Sequence, residues 1–214
     1  MQARDSAVKQ TGGRGQRGTF TEAGRRAQIV AAAIEVIAEL GYHRASFARI
    51  ADRAGLSSTG LISYHFNGRG DLMREVVSEV IKLADGYMRP RIEAQTSYAA
   101  RLRAFIEGNL DLCADHPQEL AALVEVIANS RGEDPGMVAF LDVTEGTLAI
   151  QVEQLRKAQA AGEFGAFEPW TMIRAIRAAI DDVVRRAVRN PALDVRAAGR
   201  ELADLFDRAT RRTA

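Results

Sequence analysis

The chain has 214 residues, 47% hydrophobic and 27% charged, with a formal net charge of +1, a composition typical of a globular protein with one large or two small domains. It has no apolar stretch of about 18 residues and does not begin with a secretory signal pattern, so we expect neither a membrane span nor export. Its single cysteine, Cys113, excludes a disulfide framework, and we therefore predict a cytoplasmic protein.

Charge is distributed unevenly along the chain. Residues 1–74 contain 11 Lys and Arg against 6 Asp and Glu, whereas residues 75–214 contain 18 against 22. The basic first third indicates an anionic partner for that part alone, with chance asymmetry as the alternative. Residues 1–20 are rich in Gly, Gln and Arg, so we predict a flexible basic arm that either follows DNA or is a tail without a role.

Short helical patterns follow this arm. Apolar residues recur at helical spacing over residues 29–40, and Gly41 ends this first helix. Ser46 opens a second helix, which stops at Gly55. Ser57 is predicted to cap a short third helix.

Longer helical patterns make up the rest of the chain. A fourth helix is predicted after FNGRGD at residues 66–71, and Pro90 is expected to end or bend it. Further helices are predicted near residues 98–115, 117–131, 135–161, 169–189 and 194–212, with prolines at starts or breaks. Runs that alternate apolar and polar residues are missing, so no sheet is expected. The sequence predicts an all-α protein of about nine helices.

The segment ADRAGLSSTGLISYHF, residues 51–66, has the pattern of a helix-turn-helix. Ala51 is small enough for a close helix crossing, Gly55 tolerates a positive φ, and Leu56 and Leu61 supply apolar anchors beyond the turn. The exposed side of the second helix would then carry short side chains that allow close approach to phosphates and base edges. These residues are Ser57, Ser58, Thr59, Gly60 and Ser63.

Further positions around this segment complete a characteristic pattern from Arg25 to Leu72. They are Gly41-Tyr42, Ser46, Ile50-Ala51, AGLS at residues 54–57, Gly60, Tyr64-His65-Phe66 and Arg69. Together they resemble the tetracycline-repressor (TetR) family of bacterial transcription regulators. Arg69 stands where that family usually has Lys, which should preserve phosphate binding. Ser63 stands where an aromatic residue is common, which removes one expected contact with DNA.

The resemblance implies a three-helix helix-turn-helix DNA-binding domain at residues 21–68 and a larger helical ligand-binding and dimerisation domain at residues 69–214. It implies a homodimeric repressor that binds a near-palindromic operator in double-stranded DNA and is released by a small molecule. The implied DNA contacts are Arg25, Arg26, Ser46, Ser57, Ser58, Thr59, Leu61, Tyr64, His65 and Arg69.

The resemblance also implies a pocket for a mostly apolar effector and a dimer interface formed by the last two helices. For each pocket candidate we favour core packing over a ligand contact: Phe105, Asn109, Cys113, Ile127, Phe140, Thr144, Leu148 and Trp170. Apolar stripes supply the interface candidates, with Gly199 allowing close helix approach. These candidates are Ile173, Ile176, Ile180, Val184, Leu202, Leu205 and Phe206.

Other classes of function find little support in the residues. The chain has three histidines and no Gly-x-Ser-x-Gly elbow, and GGRGQRG lacks the Lys-Ser/Thr of a phosphate loop. Cys113 and His116 supply only two of the three or four ligands that a metal site needs. We therefore expect no enzyme activity, no cofactor and no metal. Two alternatives stay open, a helix-turn-helix regulator without a small-molecule response and a protein–protein interaction module.

Overall fold

The computed structural model describes residues 15–130 and 135–212. Over these ranges the chain forms nine α-helices and one short 3-10 turn, Tyr42–Arg44, and no strand longer than an isolated bridge. The helices are α1 (Gly15–Leu40), α2 (Phe47–Arg53), α3 (Gly60–His65), α4 (Arg69–Glu93), α5 (Tyr98–Asp115), α6 (Pro117–Asn129), α7 (Pro135–Ala160), α8 (Pro169–Arg189) and α9 (Val195–Thr210). The predicted all-α class is confirmed. Over the same ranges, every helix is too short or too polar to cross a membrane.

Most predicted helices agree with the structure to within two residues, and α5 and α8 have the predicted bounds. Of the arm predicted at residues 1–20, only residues 15–20 lie in the described part of the chain. Residues 1–14 lie outside the described part, and α1 already begins at Gly15. Once a helix is nucleated, each added residue gains a backbone hydrogen bond, so α1 extends into a segment of polar composition.

Two predicted helix boundaries are wrong. Pro90 does not end α4, which continues to Glu93, with the backbone N–H of Ala94 donating to the carbonyl of Pro90 at 3.1 Å, and a bend at Pro90 stays a prediction. Ser57 does not cap α3, because the helix begins three residues later and Thr59 is its N-cap. The turn before α3 is therefore longer than the sequence pattern suggests.

The apolar side chains form two separate cores. The first is built from α1, α2, α3 and α4 up to Val80, and it receives Ala122 and Val126 from α6. The second is built from α5, α7, α8 and α9 and receives Leu120 from α6. Helix α6 therefore belongs to both cores, and the first core extends along α4 well past residue 68.

Candidate nucleic-acid interface

The turn between α2 and α3 is set by backbone hydrogen bonds. The N–H of Leu56 donates to the carbonyl of Ala51 at 2.8 Å, and the N–H of Gly55 donates to the carbonyl of Asp52 at 3.0 Å. This pair of bonds is a Schellman motif, which requires a left-handed residue after the helix. Gly55 fills that position with φ of 62°. The glycine predicted for the turn is therefore where the geometry needs it.

Helix α3 is anchored by one face and exposed on the other. Ile62 and Phe66 are 0% and 1% exposed and join the first core. Tyr64, by contrast, is 74% exposed. Its ring packs edge-on against that of His65, with centroids 5.0 Å apart. The remaining exposed positions are small and uncharged: Ser57, Ser58, Thr59, Gly60 and Ser63. The helix and its turn thus present a low, polar surface to solvent, with a single large aromatic side chain projecting from it.

Two further predicted contacts lie at the margins of this surface. Leu61 is half-buried, so its side chain is divided between the core and solvent. Ser46 is exposed and caps α2, since its Oγ accepts a hydrogen bond from the backbone N–H of Arg49 at 3.4 Å. The predicted capping role is confirmed, and the contact of Ser46 with DNA stays a prediction.

Arg26 has partners within the fold, and its contact with DNA stays a prediction. Its Nη1 donates to the carbonyl of His65 at 2.5 Å and its Nη2 donates to Glu75 at 2.9 Å. The guanidinium also lies 4.4 Å from the ring centroid of Phe66. Arg26 therefore joins α1 to the end of α3 and to α4, because its fork of donors reaches both partners at once. Arg25 remains exposed and donates to Gln28 on its own helix.

Arg69 is also bonded within the fold and is only half-exposed. Its Nη1 donates to the carbonyl of Ala45 at 2.6 Å, and its Nη2 donates to the carbonyl of Tyr42. Its guanidinium stacks on the Tyr42 ring, 4.4 Å from the centroid. A lysine has neither the flat face nor the fork that these contacts use. The departure from the usual Lys therefore has a structural reason that residue type alone does not reveal, and the half-buried guanidinium acts first as a brace.

The eight predicted pocket residues are divided between the two cores. Phe105, Cys113 and Leu148 are buried in the second core, with Trp170 packed at its edge, whereas Phe140 packs against the first core. The others are half-buried: Asn109, Ile127 and Thr144.

Two polar pocket candidates have ordinary structural explanations. Asn109 donates from Nδ2 to the carbonyl of Phe105 at 2.7 Å, so one of its amide N–H groups is bonded within α5. Burial raises the pKa of the Cys113 thiol, which makes that side chain behave as a small apolar group. In the described residues, no group of three or more His, Cys, Asp or Glu side chains is placed to hold a metal ion.

A cleft of about 620 Å³ lies elsewhere, between α1, α4 and the start of α6. Its floor includes Val30, Ile34 and Val80, and charged side chains form its rim. Much of that rim is already paired, since Glu75 bonds Arg26 and Glu35 bonds Arg53. None of the predicted pocket residues lines this cleft.

The α8 residues predicted for the dimer interface pack inside their own chain. Ile173, Ile176 and Ile180 are at most 1% exposed in a single chain, because they pack within the second core. Val184 and Phe206 are buried there too. An apolar stripe shows that one face of a helix is covered. The covering helix can belong to the same chain or to a second copy, because both give the same pattern.

On α9, Gly199 likewise faces its own chain. A Cβ at that position would lie 3.3 Å from the Cβ of Leu110 on α5. Leu205 is 49% exposed, and Leu202 is half-buried beside it. Of the predicted interface residues, these two remain accessible to a second copy.

Known proteins share both the amino-terminal sequence and the whole fold. Residues 29–76 match the family model of bacterial regulatory proteins, tetR family. The chain is also 38% identical over 88 residues to the HTH-type transcriptional regulator BetI 1 of Chromohalobacter salexigens, which covers 41% of this chain and 43% of that protein. The sequence likeness to the tetR family thus lies in the segment of residues 29–76. The predicted family is therefore confirmed, by the segment that contains the helix-turn-helix.

Other relatives extend this picture of the tetR family. BetI of Escherichia coli is 37% identical over 89 residues, which covers 41% of this chain and 45% of that protein. The chain thus spans less than half the length of either of these BetI relatives. Both relatives are named as transcriptional regulators.

Solved structures show that the likeness in fold covers most of the chain. The transcriptional regulator FadR of Bacillus subtilis, solved with stearoyl-CoA, has a TM-score of 0.74 at 23% identity and covers 84% of this chain and 96% of its own. A tetR-family regulatory protein from Rhodococcus RHA1 has a TM-score of 0.74 at 20% identity and covers 89% and 98%. At these identities the likeness establishes the fold.

Proposed function

We propose that this tetR-family protein is a DNA-binding transcriptional regulator that reads an operator with α3 and the turn before it. The exposed face of α3 carries this proposal. It is uncharged, made of short hydroxyl and glycine residues around the 74% exposed Tyr64, and rigidly seated by Ile62 and Phe66. A small, polar, firmly held helix face fits the major groove, where backbone and short side chains must approach base edges closely.

Residues 21–68 would form the reading domain and residues 69–214 the larger domain. The two would share the first core along α4, as far as Val80. Two copies would be needed to read a near-palindrome, because recognition helices must meet successive major grooves about 34–36 Å apart or a multiple of it. The exposed Leu205 and its neighbour Leu202 support α9 as part of the contact between copies. The solvent-facing side of α8 would supply the rest of the contact between the two copies.

The effector is proposed to be a mostly apolar small molecule that binds in the larger domain and releases the operator. The FadR of similar fold, solved with stearoyl-CoA, supports this class of ligand. Such a ligand weakens DNA binding only as far as it prefers a dimer whose recognition helices no longer match the grooves. A regulator of the same fold without an effector would bind DNA equally well at every ligand concentration.

Fluorescence anisotropy on DNA tests the proposed function. The probes are DNA from upstream of the protein's own gene and duplexes selected from a random library with the purified protein. We expect tight binding that weakens steeply with salt, because each neutralised phosphate adds about −0.9 to the slope of log affinity against log salt. Tyr64→Ala should weaken binding at least tenfold.

Ile150→Ala is the matched control, since Ile150 is a large side chain that is 62% exposed on α7, away from the candidate interface. It should bind DNA like the wild type. Absence of salt-dependent binding to any selected duplex, or equal loss in both variants, would contradict the proposal. Binding to a protein partner that is insensitive to salt would instead favour an interaction module.

A further inference from the structure

A carboxylate of α6 contacts the backbone of the amino-terminal helices. Oε2 of Glu125 accepts a hydrogen bond from the backbone N–H of Tyr42 at 3.0 Å. The contact is close, since a Cβ added to the preceding Gly41 would lie 3.3 Å from the same oxygen. Gly41 has φ of 80°, so the chain turns sharply away from α1 at the point where the carboxylate meets it.

The same turn is held from its other side by Arg69 of α4. Arg69 donates to the carbonyl of Tyr42, stacks on the Tyr42 ring and also donates to the carbonyl of Ala45. Tyr42 is therefore fixed at both backbone groups, its N–H by a carboxylate and its carbonyl by a guanidinium. Hydrogen bonds to charged partners are about twice as strong as neutral ones, so this turn has little freedom to shift.

The turn leads directly into the reading unit. Ala45 is 0% exposed, and the next residue, Ser46, is the N-cap of α2. Because α2 leads into α3 through the Schellman turn at Gly55, the position of Tyr42 influences where α3 lies. The partner side chain comes from α6, whose Ala122 and Val126 pack in the first core while Leu120 packs in the second.

We propose that Glu125 is a positioning residue for DNA recognition, which acts by holding the Tyr42 turn between α6 and Arg69. This inference rests on the proposed function. Glu125 lies on the larger domain and contacts the connection between α1 and α2 rather than the exposed face of α3. Its carboxylate adds to the packing of α6 and sets how the reading domain lies against the larger domain. It thereby sets the separation of the two recognition helices in a dimer.

Substitution of Glu125, with Glu119→Ala as the matched control, tests this role. Glu119 lies on the same helix and is also half-buried, but its side chain faces His116, with 3.7 Å between Nδ1 and Oε1. DNA affinity is measured by anisotropy on the selected duplex, and hydrogen exchange reports the Tyr42 amide. Glu125→Ala should weaken DNA binding about tenfold and speed exchange at Tyr42.

Glu125→Gln retains an acceptor oxygen and should recover most of the affinity, and Glu119→Ala should match the wild type in both measurements. Should Glu125→Ala fail to fold, Glu125→Asp replaces it, because a carboxylate one methylene shorter withdraws from the Tyr42 N–H without leaving a large cavity. It should weaken binding severalfold.

Full DNA affinity in the folded variant, together with fast exchange at Tyr42, would overturn the inference and leave a merely structural contact. A wild-type protein that binds no DNA would overturn the proposed function and this inference with it. Tyr64→Ala separates the two roles, because it should lose DNA binding while the Tyr42 amide stays protected.

Discussion

The two cores of this protein reach their structures by different means. In the first, the short helices α2 and α3 are set between the long helices α1 and α4 by turns and caps in which single residues are decisive, such as Gly55 at φ of 62° and the cap Ser46. The second is assembled from helices of 16 to 26 residues whose apolar stripes pack side by side. Few sequences fit a turn with special geometry, so such a turn can be recognised from the sequence. An apolar helix stripe, by contrast, does not show which helix packs against it.

The largest effects on stability should come from truncating one buried isoleucine in each core. Ile62 in α3 and Ile176 in α8 are both 0% exposed. Replacing either with Ala should lower the free energy of unfolding by about 2–5 kcal/mol, from lost transfer energy and the cavity left behind. Only Ile62→Ala should also weaken DNA binding at temperatures where both variants are folded. Denaturant unfolding and anisotropy measure the two effects, and equal loss of DNA binding would show that the cores act as one.

Helix approach in the second core is tested at Gly199. A leucine there meets Leu110 and the backbone of Glu107 on α5, so Gly199→Leu should cost about 1–3 kcal/mol by overpacking. A Cβ added at Gly146 on α7 would meet no atom within 4 Å among the residues that the structure describes, and Gly146→Leu should be neutral or stabilising, since Gly disfavours a helix by about 0.5–1 kcal/mol. Thermal unfolding of both variants decides, and equal destabilisation would argue against the close approach of α9 to α5.

The brace in the first core is tested by Arg69→Lys. If Arg69 were chiefly a phosphate contact, lysine would keep both the affinity and the salt slope. We expect instead a severalfold loss of affinity with an unchanged salt slope, because lysine cannot bridge the carbonyls of Ala45 and Tyr42 while stacking on the ring. Anisotropy over a range of salt separates these results. Lys82→Arg, at an exposed site on α4, is the control.

The smallest effects should come from exposed ion pairs, one beside each core. The hydrogen bond from Arg53 lowers the pKa of Glu39, and the hydrogen bond from Arg103 lowers the pKa of Asp204. A carboxylate with a depressed folded pKa stabilises the fold above its ordinary pKa and loses that contribution as the pH falls.

Arg53→Gln and Arg103→Gln should therefore lower the melting temperature slightly at pH 7 and hardly at all near pH 3. Both carboxylates are solvent-exposed, and water screens such pairs. Melting curves at the two pH values measure the difference. A larger effect at acid pH would reverse the expected sign.

The sequence predicts the elements of this protein far better than their partners. The bounds of α5 and α8, the turn at Gly55 and the cap at Ser46 follow from local backbone chemistry, which depends on a few neighbouring residues. The internal roles of Arg26 and Arg69 could not be predicted, because their partners lie 24 to 49 residues away along the chain. A basic side chain near a reading helix suggests DNA unless the fold shows which carbonyls lie within its reach.

The shared position of α6 bears on how regulators of this kind could exchange parts. A reading domain cut at residue 68 would leave behind the stretch of α4 that ends at Val80, and also Ala122 and Val126, all members of its core. Transplanting residues 21–68 onto another scaffold would thus place a foreign α6 against an interior shaped for this one. A transplanted reading domain would keep its fold only when the matching faces of α4 and α6 are transplanted with it. The residues that would contact DNA therefore cannot be exchanged independently of the helices that support them.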